Sequence, residues 1–213
     1  NSIEKLISSL DVVYDMLTSL EKVSKILDKP EERQGGIEPR RENTGMAIQA
    51  NGLNYRYNVP QGNWVLNDLN FSIKPGEKVC IFGSEGSGKS TLLKLLTGAY
   101  SGYNGQLLVD NYPLTDYNLN ELRKQVGIYM ATADLFSGTL MENLTMGQTD
   151  ISVDDILSVS ESMGLLPFIQ SLPQGLDTLI DSLGKKLPRN TVSKLLILRA
   201  LLNKPRLMLL EDC

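Results

Sequence analysis

Hydrophobic and polar positions follow two different periods along this chain. Over residues 1–28 the apolar side chains fall at Ile3, Leu6, Leu10, Val13, Leu17, Leu20 and Leu27, in steps of three and four broken only at Ser24. That spacing is close to a heptad and predicts a long amphipathic helix whose stripe needs a partner. The stripe packs either on its own domain or, as the end of a helix arriving from an upstream domain, on another one. The charged Gly/Pro stretch DKPEERQGGIEPRRENTG that follows favours the second arrangement and reads as a linker over 29–45.

From Met46 the period shortens. MAIQANGLNYRY and LNDLNFSI alternate like antiparallel strands, with turn residues between them in NVPQGN. EKVCIFG is a continuous apolar run, the pattern of a strand buried on both faces. KSTLLKLLTG has helical spacing and a terminal Gly stop. GQLLVDNYPL and QVGIYMA read as further strands, residues 153–172 and 191–203 as helices, and RLMLLED as a final buried strand. Strand, helix and strand in this order predict an α/β core with an antiparallel β subdomain in front and a helical insert between. No internal repeat is visible.

Bulk composition narrows the class without naming it. A length of 213 residues, 41% hydrophobic and 22% charged, suits one soluble domain with an appendage. A net charge of −4 and a pI near 5.0 give no pull towards nucleic acid. Cys80 and Cys213 make no disulfide framework or CxxC metal pair, and Cys80, inside its apolar run, reads as a small core residue. No apolar stretch approaches the roughly 20 residues a membrane span needs. The chain has no His, which removes the commonest general base and metal ligand. It begins at Asn1 without Met and reads as a piece of a longer protein.

The chemistry-bearing motif is GSEGSGKST, residues 83–91, which fits G-x-x-x-x-G-K-[ST] with a strand expected before it and a helix after. Gly83, Ser84, Glu85, Gly86, Ser87, Gly88 and Thr91 belong to the loop expected to bind the nucleotide, its backbone N–H groups curling around phosphates and the N-terminus of the following helix adding its positive end. Lys89 would reach the β- and γ-phosphates, and Ser90 would hold Mg²⁺. The motif predicts nucleoside triphosphate binding.

The wider sequence resembles a particular user of that loop. The stretch from YRYNVPQGNW to YNGQLLVD looks like the first half of an ATP-binding cassette, the motor domain of ABC transporters. LFSGTLMENL, FIQSLPQGLDTLI and LRALLNKPRLMLLED resemble later cassette segments of exporter type, so the likeness covers residues 46–213. It implies a P-loop NTPase fold, truncated at its C-terminus, with ATP and Mg²⁺ as cofactors. It further implies that residues 1–28 extend an exporter's last transmembrane helix. Its partners would be a transmembrane domain and a second cassette, with no nucleic acid, at the cytoplasmic face of the membrane. Tyr57 falls where the family stacks an aromatic ring on adenine, although Tyr55 shares its face of the strand.

Three positions depart from the family pattern. The glutamine that reaches towards Mg²⁺ and the attacking water is replaced by Ala131, whose methyl group neither coordinates nor donates. The LSGGQ signature is replaced by Leu187-Pro188-Arg189-Asn190-Thr191. Pro188 offers no N–H, and Arg189 and Asn190 put side chains where glycines allow close approach. This reads as an eroded signature; the alternative makes Arg189 an arginine finger acting in trans. The Mg²⁺-linked Asp becomes Glu211 and the general-base Glu becomes Asp212, so the two acids are present with their lengths exchanged. Mg²⁺ demands near-ideal octahedral geometry, and a shorter base at Asp212 stands back from the attacking water. The combination predicts ATP binding with weak hydrolysis. A non-catalytic ATP-responsive regulatory or scaffolding module is the competing reading, and a phosphotransferase outside the transporters has less support.

Overall fold

The computed structural model describes residues 2–28, 31–57 and 62–211. The chain divides between Gln34 and Gly35 into two compact units. In the first, α1 runs from Ser2 to Leu27 as the apolar spacing predicts. Val13, Leu17, Leu20, Val23 and Leu27 stand exposed along it. No helix among the described residues is long and apolar enough to cross a membrane.

The second unit opens on an antiparallel sheet. β1 (Ile48–Tyr55), β2 (Leu66–Ile73), β3 (Asn104–Val109) and the two-residue β4 (Tyr112–Pro113) lie in the order β2-β1-β3-β4. Inward residues of β1, including Ile48, Ala50, Leu53 and Tyr55, are buried against Leu107 and Val109. The alternation slips at a bulge that falls between Ala50 and Leu53 in the ladder with β2 and between Asn51 and Asn54 in the ladder with β3. Gly52 supplies the positive φ of 55° that the bulge uses, and a Cβ on facing Gly105 would sit 2.1 Å from the Gly52 carbonyl oxygen. β3 turns into β4 through Asp110 and Asn111, both left-handed, the conformation Asp and Asn tolerate best after Gly.

The α/β part begins with α2 (Lys89–Leu96), which buries Leu92, Leu93, Leu95 and Leu96 in the same core as the sheet. α3 (Leu119–Lys124) leads into β5 (Val126–Tyr129), and β5 pairs in parallel with β8 (Leu207–Leu210), Val126 opposite Leu207 and Tyr129 opposite Leu210. Between them come the short β6 (Gly138–Thr139), α4 (Leu140–Thr145), α5 (Val153–Ser162), α6 (Leu166–Ser171) and β7 (Leu179–Ile180). A second apolar cluster joins Leu140, Leu144, Ile156 and Ile169 to Val192, Leu195 and Leu198 of α7 (Arg189–Leu202). The expected helical insert is therefore a packed layer, with α7 as the element shared between it and β5. Residues 153–172, read as one helix, divide into α5 and α6 around Gly164 at φ 66°.

Two expectations change, one from the apolar pattern of EKVCIFG and one from the Gly/Pro composition that read as a linker over 29–45. EKVCIFG forms no ladder with any described residue; Val79 is 50% and Phe82 88% exposed, and Cys80 is exposed rather than part of the core. A run apolar on both faces needs cover on both, and the described residues supply neither. Residues 37–45, by contrast, are pinned to the second unit. Ile37 exchanges backbone hydrogen bonds with Asp116 and Asn118. Arg206, its side chain 7% exposed, donates to the carbonyls of Arg40, Thr44 and Gly45 and pairs with Asp110 at 2.9 Å. The turn read in NVPQGN lies largely outside the described residues.

Candidate nucleotide site

The phosphate loop is shaped by its own backbone. Ser87 N–H donates to the Ser84 carbonyl across a turn at Glu85 and Gly86, where Gly86 takes φ 75°. Gly88, at φ 89°, is the N-cap of α2, and a Cβ there would lie 2.9 Å from the Val65 carbonyl oxygen. Only glycine combines that φ with that approach. Gly83 is as tightly placed, its Cβ position being 2.5 Å from Ser87 Oγ. Lys89 Nζ donates to the carbonyls of Gly83 and Ser84, both at 2.9 Å, so the ammonium folds back over the loop it follows.

Two distant segments reach this loop. Tyr57, at the end of the first antiparallel pair, packs edge-on to Tyr55 and Tyr100, and its hydroxyl shares a 2.8 Å hydrogen bond with Thr91 Oγ1. Tyr55 is the buried member of the trio, and burial raises its phenol pKa above the ordinary value, with smaller contributions from Tyr57 and Tyr100. Tyr57 keeps its ring partly exposed, which distinguishes the two tyrosines that the sequence left on one face. Thr91, expected among the nucleotide-binding residues of the loop, is buried, and its bond to Tyr57 spans 34 residues and has no local signal.

The second segment is the end of β8. Glu211 N–H donates to Tyr129 O, carrying the ladder one residue further. Its carboxylate accepts from Ser90 Oγ through Oε1, and through Oε2 from the Ala131 backbone N–H at 3.0 Å. The longer acid thus touches both the phosphate-loop serine and the turn where a glutamine was expected. A hydroxyl and a carboxylate side by side are hard oxygen donors of the kind that would fit Mg²⁺. Ala131 adds no side-chain donor. Among the described residues no group of three or more His, Cys, Asp or Glu side chains gathers as if to hold a metal ion. Asp212 lies outside the described residues.

The altered signature stands at the start of α7. Pro188 is the N-cap without a side-chain bond, and Arg189 is the first helical residue. The guanidinium of Arg189 turns back into its own chain: Nη1 donates to Asp134 Oδ1 at 2.7 Å and Nη2 to the Ala131 carbonyl at 2.8 Å. Asp134 was not singled out in the sequence, because nothing local ties it to a residue 55 positions away.

These features define a P-loop nucleotide-binding α/β domain carrying an antiparallel sheet and a helical insert. The chain matches the sequence profile of the ABC transporter family over residues 66–213. It is 32% identical over 201 residues to an ATP-dependent lipid A-core flippase of Alkalilimnicola ehrlichii, covering 94% of this chain and 34% of that protein. It is 34% identical over 148 residues to the mitochondrial iron-sulfur clusters transporter ATM1 of Saccharomyces cerevisiae, covering 70% of this chain and 21% of that one. The solved structure of a bacterial Atm1-family ABC exporter with ATP bound shares the fold, with a TM-score of 0.80 at 24% identity over 95% of this chain and 35% of that one. The chain belongs to the ABC transporter family, as an exporter-like nucleotide-binding domain. It spans about a third of the length of the flippase.

Proposed function

We propose that this chain binds Mg-ATP in the 83–91 loop and couples that binding to transport, with weak hydrolysis of its own. In this reading Lys89 and the loop amides hold the phosphates, Ser90 and Glu211 hold Mg²⁺, and Tyr57 stacks on adenine. The partners are a transmembrane domain, reached through α1, and a second ATP-binding domain that closes over the nucleotide, all at the cytoplasmic face of the membrane. The exposed apolar positions along α1 support a partner-seeking helix.

The observation that carries the reading is the contrast at Glu211. Its carboxylate meets Ser90 where a metal ligand belongs, yet its second oxygen is spent on the Ala131 amide. With Ala131 giving no side-chain sensor and Asp212 one methylene shorter than the usual base, binding groups are complete and hydrolytic groups are not. Positioned acid–base catalysis is worth about 10²–10⁴ in rate, so misplacing it leaves binding intact and turnover low.

The test is equilibrium binding of ATP with Mg²⁺, and phosphate release, with Lys89→Ala as the blank. Binding above the blank with release at its level is the expected result. Turnover at an ordinary rate overturns the weak-hydrolysis part, and no binding above the blank overturns the whole. Binding with no effect on transport in the assembled transporter points instead to a regulatory module.

A further inference from the structure

Ala131 is where two side chains from opposite directions meet one backbone. Its N–H is taken by Glu211 Oε2 at 3.0 Å and its C=O by Arg189 Nη2 at 2.8 Å. The residue sits in a tight turn closed by Ala133 N–H on Met130 O at 2.9 Å. With planar peptides, only two soft torsions at Ala131 separate the bond to Glu211 from the bond to Arg189. Fixing the carbonyl therefore restricts where the amide points.

Arg189 is well suited to hold that carbonyl. Its planar fork satisfies two acceptors at once, Ala131 O and Asp134 Oδ1. Both terminal nitrogens are engaged within the chain, and carrying the guanidinium to a phosphate on another subunit would break both bonds. As the first residue of α7, it also links that turn to the long helix of the second apolar cluster. A continuous run of hydrogen bonds results: Ser90, Glu211, Ala131, Arg189, Asp134.

We propose that Arg189 is a positioning residue acting in cis: by holding the Ala131 backbone it sets the Glu211 carboxylate beside Ser90 and ties the metal-binding pair to α7. The substitution of Ala for the expected glutamine makes this arrangement meaningful. The side-chain route from turn to metal is lost, and a backbone route, reached by the longer Glu211 and braced by Arg189, takes its place. The proposal rests on the reading that Ser90 and Glu211 hold the metal of a bound nucleotide.

Two measurements on the full chain test it. The first needs no ligand: hydrogen exchange at the Ala131 amide should be faster in Arg189→Ala than in the parent. The second uses Mn²⁺ as a paramagnetic probe, titrated in the presence of a non-hydrolysable ATP analogue. An exposed ion pair of this kind is worth little, so Mn²⁺ binding should weaken about two- to fivefold in Arg189→Ala. In a Glu211→Asp background, where the shorter acid no longer reaches Ala131, the same substitution should have no effect on Mn²⁺. Arg189 is 60% exposed, so its removal leaves the core intact. Asp134→Asn, which removes the charge pinning the fork, should move both readouts the same way. Unchanged Ala131 exchange, or a Mn²⁺ effect that persists with Asp at 211, overturns the proposal. If parent and Lys89→Ala fail alike to bind the analogue, the nucleotide reading has failed, and the exchange measurement still judges the brace on its own.

Discussion

The phosphate loop and the turn at Ala131 face the same carboxylate but are built in opposite ways. The loop is held locally: Lys89 reaches back five and six residues, and Gly86 and Gly88 set the curve through φ values few other residues adopt. The turn is held by side chains from far away in sequence. Glu211 arrives from 80 residues downstream, Arg189 from 58, and Ser90 meets Glu211 across 121. A site written in backbone geometry keeps its motif or loses its shape. One written in long-range side-chain contacts can be rewired, here with a longer acid and an arginine where the family pattern differs.

The harshest way to break the contrast is at Arg206. It fixes the start of β8, and so the strand that delivers Glu211, through Asp110, Gln125 and the carbonyls of Arg40, Thr44 and Gly45, all on segments distant from the loop. Arg206→Met takes the cation from Asp110, whose side chain is 17% exposed and keeps only the Ala47 N–H as a donor. Breaking a buried pair on one side costs about 3–5 kcal/mol, so urea unfolding should show a loss of that size. Next in size is the exchange of the two acids. Glu211→Asp with Asp212→Glu restores the usual lengths, and since a misplacement of about 1 Å can cost on the order of a hundredfold, ATP turnover should rise by up to that factor. No gain in phosphate release would show that the acids are not what limits hydrolysis.

The same contrast explains what could be read in advance. The fold was legible in the periods: heptad-like spacing in α1, alternation in β1 and β2, apolar runs in β5 and β8. So was the loop, because its glycines are a local code. EKVCIFG misled, since an apolar run states what a strand would bury and not whether the cover is at hand. The brace at Ala131 was illegible for another reason. The replaced glutamine reads as a missing side chain, whereas the bond to Glu211 comes from the Ala131 amide, a group every residue carries. Arg189 and Asp134 looked unrelated because charge pairing across 55 residues leaves no mark on periodicity.

A smaller test sharpens the division between ring and hydroxyl at Tyr57. Tyr57→Ala removes the ring proposed to stack on adenine, and since a base on an aromatic ring is worth about 1–3 kcal/mol, ATP affinity should fall roughly tenfold. Tyr57→Phe keeps the ring and removes the bond to Thr91 Oγ1. Affinity should then hold, while thermal stability drops by about 0.5–1.5 kcal/mol because the buried Thr91 hydroxyl loses its partner. Equal loss of affinity in both variants would show that the hydroxyl bond, and not stacking, is what the loop needs.

The least effect lies away from the site, where the insert is tied to the end of α7 by another long-range contact. Asp155 accepts from Lys204 at 2.8 Å and from Ser152, and these bonds, Lys204 first, hold its pKa down to about 2. A carboxylate whose folded pKa is depressed contributes stability that is fully present above its unfolded value of about 3.9. That contribution is lost as pH falls from about 4 through about 2. The pair is exposed, so the change should be slight and sensitive to salt. Urea midpoints taken between pH 5 and 2 should therefore decline a little less steeply in Asp155→Asn than in the parent, and the difference should shrink at high ionic strength. Parallel curves would mean that Lys204 does not hold Asp155 in solution.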